Sequence, residues 1–86
     1  MANSKHVEQI LEVIRGSDIT ECTLSGTSVA IIGIDTYPEE TNNIILLGNG
    51  KRITTDDLEF ANWEIVDKNT LEIILGNYKF IGYKRD

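Results

Sequence analysis

Ile44-Ile45-Leu46-Leu47-Gly48-Asn49-Gly50-Lys51-Arg52-Ile53-Thr54 is the stretch on which the fold turns. An uncharged apolar run meets Gly-Asn-Gly, and a second short segment returns with Ile53 at its centre. Asn-Gly readily takes the positive φ angles of a tight hairpin. The stretch therefore predicts two antiparallel strands, 44–47 and 51–54, joined by a short turn.

Upstream, Val29-Ala30-Ile31-Ile32-Gly33-Ile34-Asp35-Thr36-Tyr37 places apolar side chains on both faces. That pattern predicts a central strand over 29–37, with Gly33 marking a bulge or a close backbone approach. Pro38 opens a polar loop, Glu39-Glu40-Thr41-Asn42-Asn43. Ser25-Gly26-Thr27-Ser28 has turn chemistry. Segment 18–25 alternates, with Thr20, Cys22 and Leu24 on one face and Ile19, Glu21 and Thr23 on the other. Downstream, Thr54-Thr55-Asp56-Asp57 fits either a capping box opening one helical turn over 55–60 or a plain loop. Strands are expected at 63–66, 71–75 and 78–83, with turns at Asp67-Lys68-Asn69-Thr70 and Gly76-Asn77.

Residues 5–15 have a different period. Val7, Ile10, Leu11 and Ile14 recur at i, i+3, i+4 and i+7, one stripe of an amphipathic helix. Ser4 or Asn3 can cap its start and Gly16 its end. Lys5, Glu8, Glu12 and Arg15 stand three or four residues apart on the polar flank and can pair there. The chain is thus expected to be α+β, mainly β: an N-terminal amphipathic helix, then an antiparallel meander of about six short strands, bent or rolled into an open barrel, with the helix over one face or end.

The chain has 86 residues, which is one domain, 1–86, with room for a single core. Thirteen isoleucines favour strands. The net charge is −6 and the pI about 4.6. Binding to a nucleic-acid backbone needs a surplus of Lys and Arg, so direct nucleic-acid contact is not expected. No apolar run approaches the ~18 residues of a membrane span, and no leader is read at the N-terminus. Cys22 is the only cysteine, so no internal disulfide is available, and the reducing cytoplasm is the expected location.

Candidate chemistry is sparse. His6 is the only histidine, and no cluster around it has metal-ligand spacing, so no metal or cofactor is expected and His6 reads as an exposed residue at the helix start. Cys22 would need a base and an orienting partner to act as a nucleophile, and it reads instead as a buried strand residue. The carboxylate pairs Glu39-Glu40, Asp56-Asp57 and Glu8 with Glu12 read as solvated charge. Gly48-Asn49-Gly50-Lys51 lacks the spacing of a phosphate loop.

A helix followed by hairpin-connected strands resembles, in outline, the Sm-like fold of RNA-binding proteins. Asp35 and Asn42 echo the Asp and Asn of that family's first motif at a longer gap. Its second, Arg-Gly-containing motif has no counterpart in the last two strands. The resemblance implies topology only, and no family is assigned from it.

Charge is uneven along the chain, −5 over residues 1–43 and −1 over 44–86. Glu8 and Glu12 project about 6 Å apart along one flank, near the spacing of phosphates. The expected function is a non-enzymatic, small acidic protein-interaction module, of the kind a phage or mobile element encodes as an inhibitor. It would bind a basic protein surface through Glu8, Glu12, Glu21, Glu39, Glu40 and Tyr83. The alternative expectation is a structural homo-oligomer block, a homodimer for instance, pairing through a strand edge such as 78–83.

Overall fold

The computed structural model describes residues 5–37 and 42–85. Helix α1 (Lys5–Arg15) is followed by strands β1 (Ser17–Leu24), β2 (Thr27–Ser28), β3 (Ile31–Ile34), β4 (Asn43–Leu47) and β5 (Arg52–Thr54). A single 3₁₀ turn, Asp57–Phe60, leads to β6 (Asn62–Ile65), β7 (Thr70–Leu75) and β8 (Tyr78–Lys84). The class is α+β, mainly β, and every strand pairing is antiparallel. The strands form two sheets, β2-β1-β8-β7-β6 and β3-β4-β5, and no closed barrel forms among the described residues.

The stripe predicted for the helix is the stripe that is buried: Val7, Ile10, Leu11 and Ile14 are each at most 2% exposed. Gly16 ends the helix, its N–H donating to the Glu12 carbonyl at 3.0 Å. Ser17 Oγ donates to the Val13 carbonyl at 2.7 Å and ties the last turn to β1. The caps expected at Asn3 and Ser4 lie outside the described residues. His6 is not the exposed residue expected from the sequence. It is half-buried, with Nε2 2.6 Å from the Ala61 carbonyl and its ring 5.8 Å from that of Trp63. A carbonyl only accepts, so Nε2 carries the proton and the helix start is fastened to the chain after the 3₁₀ turn.

Turn chemistry sets the hairpins. Ser25 and Gly26 both have positive φ, 50° and 86°, the signature of a type I′ turn. This turn is tighter than expected, so Thr27–Ser28 already pairs with Thr23 and Leu24. In the 48–50 turn only Gly50 is left-handed (φ 91°), and the Asn49 carboxamide accepts the Lys51 N–H at 3.0 Å. At 54–57 the two readings resolve in favour of the helical turn. The Thr54 N–H donates to Asp57 Oδ2 (2.9 Å), and the Asp57 N–H donates to Thr54 Oγ1 (3.2 Å). This is a reciprocal capping box with Asp in place of the usual Glu or Gln.

Three corrections concern strands. Segment 29–37 is not one central strand. It breaks at residues 29–30, and β3 is the edge of the small sheet, with Ile32 62% and Ile34 39% exposed. Its apolar pattern misled because Ile32 is a bulged residue: Ile31 faces Leu47 while Gly33 faces Leu46. In β1 the alternation also fails. Thr20 is an extra residue between Ile19 and Glu21, so Ile19 and Cys22 point inward together. Finally, 78–83 is not an edge, because β8 is paired to β1 on one side and β7 on the other. Its main-chain groups are consumed in the sheet, and no second copy can add there.

One core joins the layers. α1, the inner face of the large sheet (Ile19, Cys22, Leu71, Ile73, Phe80) and the small sheet (Ile44, Ile45, Leu47, Ile53) share a single buried cluster with Leu58 and Ala61. The outer face of the large sheet takes no part in it.

Candidate functional site

Register decides what the outer face presents. Residues opposite one another in an antiparallel pair share a face. Asp18, Tyr83 and Thr70 therefore form one row across β1, β8 and β7. The next row runs Glu21, Ile81, Glu72 and Glu64 across β1, β8, β7 and β6. A third runs Ser28, Thr23, Lys79, Ile74 and Asn62 from β2 to β6. None of these side chains belongs to the core or to the hydrophobic residues packed against it.

The middle of this face is apolar. Ile81 and Tyr83 stand two apart on β8, with Ile74 on β7 opposite Lys79 and diagonal to Ile81, and Tyr83 is 43% exposed. Acids flank this spine on both sides, Asp18 and Glu21 on β1, Glu72 and Glu64 on β7 and β6. Lys79 is the one base in these rows. Asp18 is bridged by Arg85 (Nε to Oδ1, 2.8 Å), whereas Glu21, Glu64 and Glu72 make no ion pair with any described residue. Glu64 and Glu72 are directly opposed, with Cβ atoms about 5 Å apart, a placement of like charges that costs stability.

The residues singled out from the sequence are only partly brought together. Glu21 and Tyr83 lie on this one face. Glu8 and Glu12 are on α1, on the far side of the sheet, and Glu12 is paired to Arg15 at 3.1 Å. Glu39 and Glu40 lie outside the described residues. Glu64, Glu72, Ile74 and Ile81 escaped the sequence reading. The signal that could have found them is the alternation Leu71, Glu72, Ile73, which predicts an exposed carboxylate but not what faces it.

A second feature is a cleft of about 320 Å³ between the start of β1 and the chain after β3, lined among others by Ile14, Ile19, Ile34 and Tyr37. Arg15 fills its wall. Its Nε and Nη2 donate to the Thr36 carbonyl (3.2 and 2.8 Å), and its guanidinium carbon lies 4.1 Å from the Tyr37 ring centre. Arg85 donates from Nη1 to the Arg15 carbonyl at 3.0 Å and, from its backbone, to the Gly16 carbonyl at 3.0 Å. A cation bonded to the last helix carbonyls is a C-terminal cap, so the polar groups of this cleft are spent on holding α1 to the sheets.

Cys22 is 3% exposed, and burial pushes its thiol above the ordinary range, the opposite of what activates a nucleophile. Among the described residues no three of His, Cys, Asp and Glu are grouped so as to hold a metal ion. No helix of the described residues is long and apolar enough to cross a membrane. The chain matches no family model, no curated protein and no solved structure among those compared.

Proposed function

We propose that this protein is a non-enzymatic interaction module of the cytoplasm, and that its working surface is the outer face of the large sheet, which binds a protein partner carrying basic and apolar groups. The observation that supports this most is the layout of that face: Ile81 and Tyr83 on β8, with Ile74 diagonal to Ile81, and Glu21 and Glu72 on the two sides of Ile81, neither of them in an ion pair with any described residue. Interfaces are commonly built this way, with an apolar core and a polar rim. The sign of the rim selects a basic partner and speeds its encounter. The chain tolerates Glu64 opposite Glu72, a local cost that pairing with cations of a partner would offset. Glu21 and Tyr83 are retained as contact residues and joined by Glu64, Glu72, Ile74 and Ile81.

A comparative capture tests this reading. Wild-type protein, a face variant (Glu21→Gln, Glu72→Gln, Ile81→Thr) and a helix variant (Glu8→Gln, Glu12→Gln) are each immobilised and exposed to lysate of the cell that makes the protein, at physiological salt. A basic protein retained by the wild type and the helix variant, and lost from the face variant, is the expected result. Retention by the face variant, or loss from the helix variant alone, would overturn it.

A further inference from the structure

We infer that what the partner lays on this face is an amphipathic α-helix whose apolar stripe is bordered by lysines or arginines on both sides. The inference rests on the proposed function and deepens it by naming the partner's element. Three observations support it. The first concerns main-chain hydrogen bonds. The apolar centre belongs to β8 and β7, and each of these strands is paired on both sides. An incoming segment therefore meets side chains and no free backbone groups. An extended segment buried there would leave its own N–H and C=O groups unsatisfied, at a cost for each, whereas a helix satisfies its own.

The second is the arrangement of charge. Ile81 and Tyr83 run along β8, and carboxylates stand on β1 to one side and β7 to the other, each about one strand spacing (~4.8 Å) away. A helix lying along this spine meets acids on both flanks. Cations at both borders of its apolar stripe would bury their stems and place their charges against those carboxylates. Lys79 sits at one end of the spine, and Arg85 neutralises Asp18 at the other, so the partner's cations are best placed against Glu21 and Glu72 beside Ile81.

The third is size. The seven residues of β8 extend about 23 Å, the length of about fifteen helical residues. Five strands span about 19 Å. A face of these dimensions offers roughly half of the ~800 Å² per partner of a standard interface between globular surfaces, which suits a single helix better than a whole domain. The inner face of the same sheet already shows the arrangement, with α1 set on it by a four-residue stripe.

The test uses the full chain and two synthetic peptides of identical composition, about fifteen residues long. One has leucines at i, i+3, i+4 and i+7 bordered by lysines. The other is scrambled so that it has no helical stripe and carries a central D-amino-acid pair that stops helix formation. Binding is read by fluorescence anisotropy at about 0.15 M salt. The inference expects the helical peptide to bind at least about tenfold tighter than the broken one. It expects that advantage to vanish in the variant Glu21→Gln/Glu64→Gln/Glu72→Gln, whose folding is checked by its urea midpoint. Equal binding of both peptides, lost in the variant, overturns the helix and leaves the basic partner standing. Binding unaffected by the variant, or no binding of either peptide, overturns both.

Discussion

Phe80 and Ile81 are neighbours in one strand, yet they belong to different parts of the molecule. Phe80 is 1% exposed and packs against the helix-covered core, whereas Ile81 stands on an open face among carboxylates. The same contrast runs through the whole large sheet. Its inner face is apolar over Ile19, Cys22, Leu71, Ile73 and Phe80 and packs with α1 and the small sheet in one core. Its outer face mixes Ile74, Ile81 and Tyr83 with Asp18, Glu21, Glu64 and Glu72, and none of these belongs to the core or packs against it. The lesson is that the buried core is built from only one of the two faces. The other carries Glu21, Glu64 and Glu72, in no ion pair with any described residue, around Ile81.

Substitutions can break or sharpen this contrast. The largest effect is expected for Phe80→Ala, which leaves a cavity at the centre of the core and should cost about 3–5 kcal/mol in urea unfolding. Ile81→Ala, one residue on, should cost about 1 kcal/mol, since its half-buried side chain lies outside the core. Equal losses would erase the distinction between the faces. Gly82→Ala comes next. A Cβ at this inward position would stand 2.6 Å from the tip of Ile19, which can turn aside, and 3.3 Å from the Asp18 carbonyl oxygen, which must give, so a cost of about 1 kcal/mol is expected.

Cys22 offers a pH test of the inner face. Its thiol pKa is raised by burial in the folded state, so its contribution is fully present below the unfolded value of about 8.5 and is lost as pH rises beyond that, when the unfolded chain gives up the proton first. Stability should therefore decline above about pH 8.5, and Cys22→Ala should flatten that part of the profile, measured by urea midpoints between pH 7 and 10. The smallest effect has the opposite sign. Glu72→Gln relieves the repulsion with Glu64 and should stabilise by a few tenths of a kcal/mol, about 0.2–0.5, with the gain shrinking as salt is added.

Much of the fold was legible in the sequence, and the reasons are local. Val7, Ile10, Leu11 and Ile14 declare the helix because a 3.6-residue period and burial of one stripe require each other. Asn49-Gly50 and Gly76-Asn77 declare hairpins because few residues accept positive φ. The bulges at Thr20 and Ile32 were not legible, since one extra residue leaves composition unchanged while reversing which side chains face inward. The outer-face site was hidden for a different reason. Glu21 reaches the row of Glu72 and Glu64 only because β1 pairs with β8, bringing the two ends of the chain together. That register comes from long-range pairing and not from any local pattern. An edge strand over 78–83 would make Tyr83 a contact residue by its place at the rim, yet it lies on the open face because it points opposite to Phe80 and Gly82.

The decisive measurement is an amide and methyl NMR footprint of the ¹⁵N,¹³C-labelled protein as the basic amphipathic helical peptide is added. Signals of Thr70, Glu72, Ile74, Ile81, Tyr83 and Glu21 should shift together and saturate at one stoichiometry, while those of Glu8, Glu12 and the Arg15–Tyr37 cleft stay in place. Shifts centred on the helix flank or on that cleft, with the outer face silent, would contradict the account.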